Sequence, residues 1–199
     1  MTSALIALFF AGYFHVQQHP VHELTVVPLT ALDELIPFQP YALIAYLSLW
    51  LYVGAGPGLQ RTNQELIAYA LWIGALCMAG LGIFYFWPTQ LAPVTVDASN
   101  LPAFEMLRKV DSANNACPSM HVAAAVFTAI RIHDVFARVR APMWLRALNF
   151  IWCGLIVYST LATKQHLALD VAAGMLLGVV FGVMSLVASR RRLAVARMA

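Results

Sequence analysis

Charge is scarce in this chain. Asp, Glu, Lys and Arg supply 11% of its 199 residues, whereas soluble domains carry roughly a quarter. A chain so poor in charge cannot clothe a water-facing surface, which excludes an ordinary soluble globule. Cysteine is scarce too. Cys77, Cys117 and Cys153 are odd in number and lack metal-type spacing, so neither a disulfide framework nor a zinc site is expected. Cys77 and Cys153 fall in apolar runs and read as packing residues. The formal charge is only +3 and the basic residues form no single patch, which excludes nucleic acid as a partner. No long repeat, low-complexity tract or strand-length alternation is present. The first apolar run has no basic segment before it and no small-residue cleavage pattern after it. It therefore reads as a retained helix rather than a signal peptide.

What the chain does have is hydrophobic length. Apolar residues make up 61% of it, in runs at 3–14, 41–53, 66–87, 118–131, 144–161 and 167–188. Several approach the ~20 residues that a membrane helix needs, although the first is short. The expectation is an all-α, six-transmembrane-helix bundle, one domain over 1–199, with a polar extracytoplasmic loop between helices 3 and 4. The second run ends at Gly54-Ala55-Gly56-Pro57-Gly58, a turn signal. Residues 29–38 place apolar side chains at helical spacing with acids between them, which predicts a short helix on the membrane surface. His15, His19 and His22 have ligand-like spacing, but Pro20 interrupts it and no carboxylate or thiol completes a site. They read as solvated loop histidines.

Lys and Arg accumulate in cytoplasmic loops. With both termini cytoplasmic, nine arginines fall inside and only Arg108, Lys109 and Lys164 fall outside. That bias orients the bundle in the cell membrane. The three exceptions lie beside the two stretches that carry chemistry.

The first such stretch is Asn114-Asn115-Ala116-Cys117-Pro118-Ser119-Met120-His121, where a polar loop enters an apolar helix. Pro suits the first helical position. With Pro118 there, the N–H groups of Ser119, Met120 and His121 point out of the helix end, a setting that attracts phosphate. Ser119 adds a hydroxyl and His121 a proton carrier near neutral pH. A capped helix with a surface histidine is the plainer reading of this stretch by itself. The second stretch runs over 159–170. His166 and Asp170 are four apart and share a helix face. A carboxylate on one ring nitrogen fixes the tautomer and leaves the other nitrogen to attack. Asp170 also interrupts an apolar run, where an ionisable group by default suggests function; the alternative is a charge that only caps the helix. In the six-span layout both stretches reach the same membrane face. Cations and helix-end amides there would hold a phosphate and its transition-state charge. One histidine would attack phosphorus while the other protonates the leaving oxygen.

These residues resemble the type-2 phosphatidic acid phosphatase superfamily of membrane lipid phosphatases and phosphotransferases. Its second motif, Pro-Ser-Gly-His, is matched by Pro118-Ser119-Met120-His121. Its third, Ser-Arg, five residues, His, three residues, Asp, is matched by Ser159-Thr160, five residues, His166, three residues, Asp170. The resemblance extends over about 27–186. It implies that His166 is a nucleophile forming a phosphohistidine, that Asp170 orients it, and that His121 is general acid and then base. It also implies that no metal or other cofactor takes part. The implied partner is a membrane lipid phosphate within the bilayer. Three positions depart from the pattern. The first motif, Lys, six residues, Arg-Pro, is absent, and Pro88-Thr89-Gln90-Leu91-Ala92-Pro93 stands in its place. Thr160 replaces the third-motif arginine, and Met120 replaces glycine. By position, Lys164, Arg108 and Lys109 substitute for the lost cations, with Ser119 and Ser159 as further phosphate contacts. The expected activity is hydrolysis of a phosphomonoester or pyrophosphate lipid. The bulky Met120 resembles the branch containing inositol phosphorylceramide synthase, which makes transfer of a headgroup to an alcohol the alternative. A non-catalytic membrane protein is the third reading.

Overall fold

The computed structural model describes residues 2–94, 104 and 114–198, with side chains described for 9–94, 104 and 114–190. Arg108 and Lys109 lie outside the described residues. The chain is mostly helical. In order come α1 (Thr2–Gln18), β1 (Thr25–Val27), α2 (Ala31–Leu35), α3 (Ala42–Leu47) and α4 (Leu49–Gly58). They are followed by α5 (Asn63–Phe86), β2 (Thr89–Leu91), α6 (Met120–Arg138), α7 (Met143–Ala162) and α8 (Ala168–Met198).

Among the described residues, four helices are long and apolar enough to cross a membrane: Asn63–Phe86, Met120–Arg138, Met143–Ala162 and Ala168–Arg190. The first two expected spans fall short of that length. α1 has 17 residues, and the second apolar segment, Ala42–Gly58, is divided into α3 and α4 at Ser48. The Ser48 hydroxyl bonds back to the Ala45 carbonyl (2.6 Å), the kind of local side-chain bond that bends a helix. The glycine-rich end of that segment is helical rather than a turn. Its backbone bond from the Leu59 N–H to the Ala55 carbonyl is intact (3.0 Å), because away from water an unpaired carbonyl costs more than the glycines lose. His15 is likewise in the last turn of α1, not in a loop.

Contacts fix the sense of each helix. Glu65, in the first turn of α5, pairs with Arg138 at the end of α6. Arg131, low on α6, donates to Gln60 (3.0 Å) and to Ser189 near the far end of α8 (3.5 Å). The starts of α6 and α8 therefore share one end of the bundle, and these charged groups mark the other. At the first end β1 and β2 form a parallel pair, with Thr25 opposite Thr89 and Val27 opposite Leu91.

α6 and α8 approach closely through glycine. Gly174, Gly178 and Gly182 lie four apart on one face of α8. A Cβ at Gly178 would stand 2.6 Å from the Ala123 carbonyl oxygen, and one at Gly182 would stand 2.7 Å from Ile130 Cδ1. Small residues at this spacing let helix backbones pack without a side-chain layer between them. This contact brings the two motif-bearing helix starts together.

Candidate active site

α6 begins with a cap. Ser119 is extended (φ −62°, ψ 110°), and its Oγ accepts the Val122 N–H at 3.3 Å, the ordinary work of a serine N-cap. Pro118 therefore precedes the cap instead of occupying the first helical position. The Ser119 N–H is also committed, donating to the Asp170 carbonyl at 2.9 Å. Of the three amides expected to face outward, one thus ties α6 to α8. Ser119 has no exposed surface.

The turn between α7 and α8 is held just as firmly. The Thr160 carbonyl accepts the N–H groups of both Gln165 and His166 (3.1 Å each). Lys164 sits at φ 55°, in the left-handed region that costs an L side chain about 1 kcal/mol or more. Its ammonium donates to the carbonyls of Asp33 (2.6 Å) and Ile36 (2.5 Å). Lys164 therefore latches this turn to the end of α2, where the sequence suggested a phosphate ligand. The Ser159 hydroxyl is spent on the Ile156 carbonyl of its own helix (2.6 Å) and is buried.

Asp170 is fully buried, with both carboxylate oxygens occupied. Oδ1 accepts the N–H groups of Leu167 (2.6 Å) and Val171 (3.2 Å), and Oδ2 accepts from His166 Nδ1 (2.7 Å). One side chain thus both caps the start of α8 and holds the His166 ring. His166 Nε2 in turn lies 3.1 Å from His121 Nδ1, and His121 Nε2 lies 3.2 Å from the Tyr46 hydroxyl. The hydrogens can be placed by what each group can do. An ionised carboxylate only accepts, so His166 carries its proton on Nδ1. A neutral His166 then presents a lone pair at Nε2, and His121 must donate from Nδ1. The outcome is an acceptor nitrogen of His166 aimed at an N–H donor of His121.

This chain of groups joins His121, His166 and Asp170 from segments 45 residues apart, as the 3.1 Å ring contact spans them. The model of the PAP2 superfamily matches residues 1–194. The chain belongs to the PAP2 superfamily. The type-2 phosphatidic acid phosphatase resemblance thereby holds, and the protein is a membrane protein with a phosphatase- or phosphotransferase-type function on lipid phosphates. No curated protein and no solved structure matches the chain.

The departures from the superfamily motifs have structural accounts. Met120 turns toward α5, where its sulfur occupies the space that a Cβ at Gly80 would need. A glycine on the neighbouring helix accommodates the lost motif glycine, so Met120 packs in the core beside Tyr69 and Leu76. Thr89 stands within the segment that replaces the first motif. It is buried, and its Oγ1 accepts the Cys117 N–H at 2.8 Å. That segment thus braces the second motif. Thr160, in place of the third-motif arginine, bonds the Val157 carbonyl (2.8 Å).

Two residues important to this geometry were not singled out from the sequence. Tyr46 gave no signal, because an aromatic in an apolar run reads as core. Asp33 was legible only as one of the acids set between the apolar residues of 29–38. Its Oδ2 accepts the Thr30 N–H (2.8 Å) and hydroxyl (2.7 Å), while Oδ1 reaches the Ala168 N–H at the start of α8 (2.8 Å). Asp33 is buried, and it fastens the surface helix α2 to the helix that carries Asp170.

Cys117 adjoins the site without joining its chemistry. Burial, helped by the Asp170 carboxylate, pushes its thiol up to about 11 from the usual 9.0. The protonated form therefore persists at pH 8, where the thiolate fraction is about a hundredfold below that of a free thiol. Each thiolate is about tenfold more nucleophilic at the higher pKa. In a Cys77→Ala/Cys153→Ala background, Cys117 should alkylate about tenfold more slowly in the folded than in the unfolded protein. Stopped-flow labelling at pH 8 measures this, and equal rates would contradict it.

Proposed function

We propose that the protein is a metal-independent lipid phosphate phosphatase. It would hydrolyse a phosphomonoester or pyrophosphate lipid through a phosphohistidine on His166, at the extracytoplasmic membrane face. The observation that carries this reading is the series Asp170–His166–His121, buried at Asp170 and His166, with contacts of 2.7 and 3.1 Å.

The phosphoryl group enters between the two rings, replacing their direct contact. His166 Nε2 forms a bond to phosphorus as the bond from phosphorus to the lipid oxygen breaks. Asp170 accepts the Nδ1–H that becomes more acidic as the ring gains positive charge. His121, entering the step as imidazolium, gives its Nδ1 proton to the departing oxygen. In the second half a water attacks phosphorus, His121 Nδ1 takes its proton, and the N–P bond breaks to restore the resting ring. The first turn of α6, with Ser119, Arg108 and Lys109, supplies the proposed phosphate contacts; Ser119, whose N–H and Oγ are already bonded, would contribute only its hydroxyl proton once the entering phosphate uncovers it. Lys164 would contribute only by turning a proton of its ammonium away from the α2 carbonyls. In this reading both termini lie in the cytoplasm, in line with the bias of arginines toward the opposite end of the bundle. That orientation counts α1 and Ala42–Gly58 as crossings, making six.

Purified protein in EDTA should release phosphate from at least one of phosphatidate, lysophosphatidate and a prenyl pyrophosphate. Rapid quenching should trap an acid-labile phosphoenzyme. Activity that requires a divalent metal, or turnover with no such intermediate, would overturn the reading. Adding inositol or another lipid alcohol to the same assay separates hydrolysis from transfer, since transfer yields a new phosphorylated lipid instead of free phosphate.

A further inference from the structure

The geometry points to Tyr46 as the positioning residue of His121, facing its back nitrogen as Asp170 faces that of His166. This rests on the proposed phosphohistidine reaction and adds to it which nitrogen of His121 moves the proton.

Both ring nitrogens of His121 are directed. Nδ1 faces His166 Nε2 at 3.1 Å, where phosphorus is to be bonded, and Nε2 faces the Tyr46 hydroxyl at 3.2 Å. Nδ1 is therefore the proton-transferring nitrogen and Nε2 the anchored one. The anchor is rigid: Tyr46 is 2% exposed, and its ring lies 5.2 Å from the imidazole, tilted by 46°. It comes from α3, far from both motifs in sequence. A ring held through only one nitrogen can pivot about that bond. A second contact across the ring removes the pivot, and proton transfer depends steeply on such alignment.

The choice of group also fits the task. His166 must become a stronger nucleophile and carry positive charge once phosphorylated, and a carboxylate behind it favours that charge. His121 must surrender a proton to the leaving oxygen. A carboxylate behind it would hold the charge and weaken it as an acid. A phenol holds direction without holding charge: its oxygen accepts the Nε2–H of the imidazolium and of the neutral ring left once Nδ1 has given up its proton, and in the resting ring protonated on Nδ1 its hydroxyl donates to Nε2. The same side chain can therefore steady His121 as acid in the first step and as base in the second.

Tyr46→Phe keeps the ring and removes only the hydroxyl. Phosphoenzyme formation is measured by rapid quench with two donors, phosphatidate and a prenyl pyrophosphate. The first leaves as an alkoxide that needs a proton; the second leaves as a phosphate that does not. The variant should form phosphoenzyme from phosphatidate about 10- to 100-fold more slowly, part of the 10²–10⁴ that general acid catalysis supplies. With the pyrophosphate the rate should change less than about threefold, and KM for both donors should change less than about twofold. Equal losses with both donors, or no loss with either, would overturn the assignment. A merely structural role would slow both alike.

A second measurement does not depend on turnover. In ¹⁵N-histidine-labelled protein, with His121→Asn identifying the signals, the neutral His121 ring should carry its proton on Nδ1. Its Nε2 resonance should move toward that of an unbonded ring nitrogen in Tyr46→Phe. An unmoved Nε2 signal would overturn the role of Tyr46. If the wild type forms no phosphoenzyme from any donor, the proposed reaction fails, and the ring signals still decide whether Tyr46 holds His121.

Discussion

Asp170→Asn is expected to lower turnover by about 10³- to 10⁴-fold while the protein stays folded, by analogy with the same exchange behind the histidine of a serine protease. The amide oxygen of asparagine can keep the capping bonds that Asp170 Oδ1 now accepts from Leu167 (2.6 Å) and Val171 (3.2 Å). The amide NH₂ would then occupy the Oδ2 position, 2.7 Å from His166 Nδ1. Two donors cannot face each other, so Nδ1 must present a lone pair and the ring proton must move to Nε2. That is the atom proposed to attack phosphorus. His166→Ala supplies the floor for comparison, with neither turnover nor phosphoenzyme. Steady-state kinetics and a thermal midpoint on all three proteins check the expectation. A loss below tenfold in Asp170→Asn would show that Asp170 is chiefly a helix cap.

Gly174→Val should damage both stability and activity. A Cβ at 174 would fall within the contact distance of the Ser119 backbone carbonyl, and a backbone atom cannot swing aside as a flexible side chain can. α8 must therefore move off α6. Overpacking of this kind costs about 1–3 kcal/mol, occasionally more. The same contact carries the Ser119 N–H to Asp170 carbonyl bond (2.9 Å) and the 3.1 Å contact of the two histidines. A displacement near 1 Å at reacting groups can cost on the order of 10²-fold in rate. Gly154→Ala is the control. Nothing lies within 4 Å of a Cβ there, and alanine is the better helix former by about 1 kcal/mol. It should therefore be neutral or slightly stabilising. Thermal unfolding in detergent and kcat for each variant test the pair. Gly174→Val with wild-type kcat would mean that the helix contact does not set the site.

Much of this was readable before any coordinates. A membrane-length helix leaves a long apolar run, so the runs became α5 to α8 with starts within three residues of those expected, while α6 and α8 continue 7 and 10 residues past the expected ends. His166 and Asp170 sit four apart, a local spacing that geometry converts directly into a shared face. The bias of arginines toward one side also reappeared as the Arg131, Arg138 and Glu65 end of the bundle. The errors arose where local signals competed. Pro118 looked like a helix start, but Ser119 next to it is the better cap and took that position. Gly54 to Gly58 looked like a turn, but helix persists there because its backbone groups are paired within the segment. The seating of Met120 against Gly80 was not legible either, because the two residues belong to different helices.

By itself the sequence determined that the chain is apolar and helical, which superfamily motifs it carries, and which histidine has a carboxylate partner. Each follows from composition or from residues within one helical turn of each other. Only the tertiary structure decided that Tyr46 backs His121, that Asp33 fastens α2 to α8, and that Lys164 turns to carbonyls on α2. Those contacts join segments 75, 135 and 131 residues apart. No local spacing encodes such a meeting, because it depends on how closely α6 and α8 can pack, and glycines along their interface set that distance.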